Sequence, residues 1–149
     1  MKMDAIIKPA PQKGLELVRK DVPVLSDGDA LVKIHKTAIC GTDVHIYNWD
    51  EWSQNTIKPP MTIGHEFVGE IVEMKGAHNK AFKVGDLVSA EGHVICGSCR
   101  NCRAGNGHWC KHTKGVGVQR DGAFAEYLCI PATNVVPISE SLSEDVVSF

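Results

Sequence analysis

The sequence predicts a mainly β domain, a barrel of short strands that carries a cysteine-rich metal lobe and a few short helices. Apolar runs are short and are separated at regular intervals by Gly, Pro, Asn and Asp turns, the pattern of a barrel. Cys96, Cys99, Cys102 and Cys110 place four thiols within fifteen residues. With 149 residues the chain fits one domain and buries a core without help from metal, so the lobe is an addition to the fold rather than its only staple.

In chain order, residues 3–7 and 15–19 read as the strands of an opening hairpin, turned by Pro9, Pro11 and Gly14. Residues 21–29 form a polar connection. Residues 30–39 return to strand, with Val32 and Ile34 on one face and Lys33 and His35 on the other. Gly41 allows a turn after Cys40, and Thr42 or Asp43 is suited to cap a short helix toward Tyr47. Residues 48–60 read as a loop whose Trp49 and Trp52 either line a pocket mouth or cover the barrel. Strands follow at 67–74, 87–90, 123–130 and 135–138, with a surface loop at 76–83 and turns at Gly85-Asp86 and Arg120-Asp121-Gly122. Ser141-Leu-Ser-Glu144 reads as a capping box opening a last helix, and the chain is expected to be cut within it.

A two-residue gap turns the chain so that both of its sulfurs face one centre, and four thiolates around a tetrahedral ion close a structural zinc site. Two disulfides and an iron–sulfur cluster are the alternatives. A bacterial cluster run ends in a three-residue gap and a Pro, whereas seven residues separate Cys102 from Cys110 and Lys111 follows. Met1-Lys-Met-Asp-Ala leads into strand rather than a secretory leader, so the six cysteines predict a reducing, cytoplasmic setting. A net charge of −2 and the absence of a long apolar run predict neither nucleic-acid nor membrane partners. Arg100, Arg103, Lys111, Lys114 and Arg120 read as a solvated basic face. His78, His108 and His112 read as surface residues, and Cys129 as a buried strand thiol.

Four motifs stand in one order: Cys40-Gly-Thr-Asp-Val-His45, Gly64-His65-Glu66-Phe-Val-Gly69, Val84-Gly-Asp86-Leu-Val88 and the cysteine lobe. Together they resemble the catalytic half of the zinc-dependent medium-chain alcohol and polyol dehydrogenases over nearly the whole chain. Residues 37–53, Ala90-Glu-Gly-His93 and Gly115-Val-Gly-Val118 are similar to the threonine dehydrogenases of that family, with the sorbitol dehydrogenases as nearest rival. The resemblance implies a GroES-like, partly open β-barrel over residues 1–149, with its zinc lobe at about 93–115. In the family a Rossmann domain that binds NAD follows, and it is expected to be absent here. Neither Gly105-Asn-Gly107 nor Gly115-Val-Gly117 opens a helix after a strand, so no cofactor-binding residue is assigned.

The resemblance further implies two zinc ions, the structural one and a catalytic one held by Cys40, His65 and Glu66, with one position open to an alcohol oxygen that loses its proton there. Thr42 and His45 resemble the family's proton relay, and His93 a pocket residue that tunes substrate choice. The implied reaction is oxidation of the secondary alcohol of L-threonine to 2-amino-3-oxobutanoate with NAD, in a family whose full-length members are homotetramers. This chain alone is expected to be nearly inactive. A polyol dehydrogenase, or a free-standing zinc module that serves interaction or oligomerisation, is the alternative.

Overall fold

The computed structural model describes residues 1–76, 82–139 and 141–148; His78 lies outside them. Strands β1 (Lys2–Lys8) and β2 (Glu16–Asp21) form the expected hairpin, with Ile7 opposite Glu16. Alternation seats β1: Met3 and Ala5 are buried while Lys2 and Asp4 face solvent. β3 (Asp29–Ala38) follows, then helix α1 (Gly41–Asn48), helix α2 (Glu51–Thr56) and β4 (Met61–Thr62). β4 lies on the free edge of β1 and completes a three-stranded sheet, β2-β1-β4.

The larger sheet has the order β10-β6-β5-β3-β9, with β5 (Glu66–Met74), β6 (Leu87–Ala90), β9 (Tyr127–Pro131) and β10 (Val135–Pro137). Every strand ladder among the described residues is antiparallel, so a doubly wound dinucleotide-binding sheet is absent from them. Val32, Phe67, Ile71, Val88, Leu128 and Ile130 fill the space that the sheet encloses. Two register shifts between β3 and β5 bend the sheet around this core. A two-strand ladder of β7 (His93–Val94) and β8 (Lys114–Gly115) closes the cysteine excursion, which contains the short helix α3 (Arg100–Arg103). No helix is long and apolar enough to cross a membrane among the described residues.

Residues 123–126, expected as the start of a strand running to 130, bond instead to several partners in turn, together with Gly122 of the preceding turn. The amides of Gly122 and Phe124 donate to the carbonyls of Thr62 and Ile63, both at 2.9 Å. Ile6 donates to the carbonyl of Phe124 at 2.7 Å and Ile34 to that of Glu126 at 2.9 Å. A segment shared between two sheets makes no continuous ladder, and it laces the barrel shut. Part of the predicted loop at 48–60 is helical, because the Asp50 carboxylate accepts from the Ser53 amide at 3.0 Å and caps α2. Cys40, rather than Thr42 or Asp43, is the N-cap residue of α1, and Asp43 reaches back to accept from the Cys40 amide at 2.9 Å. Ser143, rather than Ser141, caps α4 (Glu144–Val147), accepting from Asp145 at 3.2 Å.

Two contacts set α1. Its Ile46 is buried with Ile57, Met61 and Ile63, under Trp49. Lys8 is fully buried, and its ammonium donates to the carbonyls of Gln12, Gly14 (3.2 Å) and Tyr47 (3.4 Å), 4.9 Å above the Trp49 ring. Three carbonyls and a ring face thereby replace the water that the ammonium loses.

Gly64, Gly117 and Gly122 pack backbone on backbone. A Cβ on Gly122 would stand 2.2 Å from the Gly64 oxygen, whereas one on Gly41 would meet nothing within 4 Å. Gly122→Ala is therefore expected to cost about 3 kcal/mol or more in chemical denaturation, while Gly41→Ala costs less than about 1 kcal/mol. Equal midpoints for the two variants would contradict this packing.

Candidate metal centres

Cys40 leaves the end of β3, and His65 and Glu66 stand at the start of β5. These strands are antiparallel neighbours with Ala38 opposite Glu66, so residues far apart in sequence meet at one corner. The ligand atoms of Cys40, His65 and Glu66 all lie within 4.8 Å of one another, and each residue is half-buried. Zinc with bonds of about 2.0–2.3 Å sets tetrahedral donors about 3.3–3.8 Å apart, so the three close on an ion with small movements. A thiolate, an imidazole and a carboxylate suit zinc, and the buried Nδ1 of His65 has no hydrogen-bond partner.

Asp43 lies under this corner, 3% exposed, and one of its oxygens is unpartnered. Burial pushes its carboxyl above the usual range, against the opposing pull of the Cys40 amide and of His65. The sequence reading gave Asp43 only a capping role; its spacing three residues after a candidate thiol ligand was the available signal.

Thr42 Oγ1 is 3.7 Å from Cys40 Sγ and faces a cavity of about 490 Å³ that His65, His93, Trp52 and Gln119 also line. His45 is on the same helix but outside that lining; it is exposed, with Nδ1 on the carboxylate of Asp50 and its ring edge-on to Trp52 at 6.1 Å. A carboxylate only accepts, so Nδ1 carries the proton and Nε2 is left to accept another. The Ser53 amide, and after it His45, holds the Asp50 carboxyl below its usual range. Asp50 went unnoticed in the sequence. Trp52 borders the cavity, whereas Trp49 packs on the Ile46 cluster, so the two tryptophans divide the two expected roles. His93 Nδ1 pairs with Glu91 at 2.6 Å.

The four sulfurs of Cys96, Cys99, Cys102 and Cys110 lie within 4.8 Å of one another. All are free, with Cys99 and Cys102 sulfurs 3.5 Å apart and those of Cys96 and Cys110 3.6 Å apart, far beyond a disulfide bond. That spacing suits one tetrahedral ion; several irons would hold their thiolates further apart. Backbone amides point at the sulfurs: Cys99 donates to Cys96 at 3.4 Å and His112 to Cys110 at 3.3 Å. The amides of Ser98 and Cys99 bring the Cys96 thiol down to about 6, while burial and the neighbouring thiols push Cys102 up to about 12. Outside the two clusters, His108 and His112 are exposed as expected. Cys129 is only half-buried, 3.5 Å from Asp29, and burial pushes its thiol up to about 11. Arg120 leaves the basic face to donate to the Cys129 carbonyl at 2.9 Å.

The family model of the alcohol dehydrogenase GroES-like domain matches residues 26–140. The chain belongs to that family. The L-threonine 3-dehydrogenase of Shewanella woodyi is 58% identical over 99% of this chain, and the chain spans about 43% of that relative's length. A Sinorhizobium meliloti chain assigned as a zinc-binding dehydrogenase, solved with NADP, is 29% identical with a TM-score of 0.83, matching 97% of this chain and 40% of its own. An Escherichia coli chain described as a short chain alcohol dehydrogenase, complexed with NADH, is 32% identical with a TM-score of 0.84 over 99% of this chain and 41% of its own. The GroES-like barrel, the zinc-dependent alcohol dehydrogenase family and the threonine dehydrogenase likeness expected from the motifs are therefore met.

A zinc ion taken up by the lobe would have to displace the Cys102 proton, whereas the amides on Cys96 already bring that thiol down to about 6. Competition with a chromophoric chelator between about pH 5 and pH 8 should show affinity falling with acidification, more steeply below about pH 6 where Cys96 also protonates. A flat profile would contradict a thiolate site.

Proposed function

We propose that this chain is the catalytic part of a cytoplasmic, NAD-linked, zinc-dependent dehydrogenase that oxidises the secondary alcohol of L-threonine. The observation that carries the reading is the convergence of Cys40, His65 and Glu66 on one point beside the cavity that His65 and Thr42 line. The 58% identity to a relative named L-threonine 3-dehydrogenase supports the substrate, and six free cysteines fit a reducing compartment.

Cys40, His65 and Glu66 would hold a catalytic zinc, three protein ligands leaving room for a substrate oxygen, and Cys96, Cys99, Cys102 and Cys110 would hold a structural one. A zinc bound there would supply Lewis acidity to a substrate hydroxyl, with NAD as the hydride acceptor. Thr42 Oγ1 takes the hydroxyl proton, being 3.7 Å from Cys40 Sγ and open to the cavity. Thr42 gives up its own hydroxyl proton in exchange, and that proton reaches solvent through His45 Nε2, which the Asp50 carboxylate on Nδ1 keeps as the accepting atom. Trp52 packs on His45 and walls the cavity, limiting water at the reacting carbon. His93 stands in the same wall and bears on substrate choice.

With zinc kept in the four-cysteine lobe and cobalt(II) in the second site, L-threonine should change the visible absorption of the cobalt, and Cys40→Ala should remove both the band and the response. A response to sorbitol without one to L-threonine would assign the site to polyols. No response to either would contradict a dehydrogenase site.

A further inference from the structure

We propose that Gln119 binds the carboxylate of the substrate and so selects a hydroxy amino acid over an uncharged alcohol or polyol. The inference rests on the cavity being the substrate site and adds the residue that recognises the end of the substrate away from the reacting hydroxyl.

Gln119 sits in a tight turn after β8. Its amide and that of Arg120 both donate to the Gly115 carbonyl, at 2.9 and 3.2 Å, which fixes its backbone. Its side chain folds back on the same residue, Oε1 accepting from the Gly115 amide at 2.7 Å. A backbone N–H only donates, so the amide oxygen must be the end that faces it. The NH2 group is thereby left as the free end, and it makes no hydrogen bond among the described residues. Gln119 lines the cavity of about 490 Å³ together with Thr42 and His65. The NH2 is thus the end of Gln119 left for a ligand, and a carboxylate oxygen is the substrate group that accepts one of its N–H groups in a charge-assisted hydrogen bond.

The surroundings favour an anion at that point. Gln119 also borders a second cavity, of about 590 Å³, lined by Lys58, Lys114 and Arg120. Its single acid, Asp121, is already engaged by the Thr62 amide at 2.8 Å and by Lys20 at 2.6 Å. Excess positive charge behind the amide raises the local concentration of a carboxylate. His93 cannot supply the same contact through Nδ1, which Glu91 occupies. A polyol brings no charge to this wall, so its hydroxyls gain only the weaker, neutral hydrogen bond.

Gln119→Glu tests the idea without removing the turn, because a glutamate retains an oxygen for the Gly115 amide and exchanges the donating end for an accepting one. The zinc-loaded chain, labelled with nitrogen-15, is titrated by NMR with L-threonine and with L-threoninol, in which a hydroxymethyl replaces the carboxylate. Both ligands are expected to shift the Thr42 amide, and L-threonine to shift the side-chain NH2 of Gln119 well beyond what L-threoninol does. Gln119→Glu should weaken L-threonine by about tenfold to a hundredfold and leave L-threoninol unchanged. If L-threonine shifts Thr42 but not the Gln119 NH2, or if the variant weakens both ligands equally, the role of Gln119 is overturned while the substrate site stands. If neither ligand shifts Thr42, the substrate site itself is overturned, and the assignment of Gln119 with it.

Discussion

The carbonyl of Gly64 has no room beside it for a side chain. A Cβ on Gly122 would approach it to 2.2 Å and one on Gly117 to 2.5 Å, while a Cβ on Gly64 itself would enter the ring of Phe124 at 2.1 Å. Three backbones cross at this point, and the Ala123 amide donates to the same carbonyl at 2.9 Å. The crossing holds residues 62–64 against 122–124, and 122–126 in turn bind both the small sheet and β3. Closure of the barrel and delivery of His65 to the start of β5 are thus one event. The register of β3 against β5 then decides that Cys40 and Glu66 arrive at the same corner. Close packing of this kind transmits any added atom to its neighbours, since an interior at crystal-like density has nowhere to store it.

The helix that carries Thr42 and His45 is held at both ends by polar groups taken out of water. At its start Asp43 accepts from the Cys40 amide; at its end Lys8 donates to Tyr47 and, beyond the helix, to the carbonyls of the first hairpin's loop. Burial lowers the pKa of Lys8, yet three carbonyls and the Trp49 face still receive its donors. Leaving either group without partners would cost several kcal/mol, so the helix has one well-defined seat. His45 sits three residues after Thr42 on this helix, a spacing that puts both on one side of it. Asp50 joins the two functions of its neighbourhood, capping α2 with one oxygen and holding His45 with the other.

Local chemistry was legible in the sequence, and long-range closeness was not. The four cysteines, with their two-residue gaps, announced a metal lobe because spacing alone brings such sulfurs together. Cys40 and His65-Glu66 could be placed at strand ends, and their meeting followed from the resemblance rather than from any spacing between them. The short helix α2 was missed because Trp49, Trp52, Pro59 and Pro60 dominate that stretch, although Asp50 followed by Ser53 is a capping signal. The strand at 123–130 was drawn too long because alternation shows which residues are half-buried, not which neighbour each amide bonds. Lys8, Gly117 and Gly122 gave no warning, since a buried lysine and a glycine without space for a Cβ are defined by residues distant in the chain. Gln119 likewise gains its character from the amide of Gly115, four residues earlier, and from the cavity behind it.

The proposed function requires that the fold alone bring Cys40, His65 and Glu66 to one ion-binding point, separate from the four-cysteine lobe. Crystals of the zinc-loaded chain, measured on both sides of the zinc absorption edge, test it most directly. Two anomalous peaks are expected, one among the sulfurs of Cys96, Cys99, Cys102 and Cys110 and one between Cys40, His65 and Glu66. A single peak in the lobe, from crystals grown with zinc in excess, would contradict it.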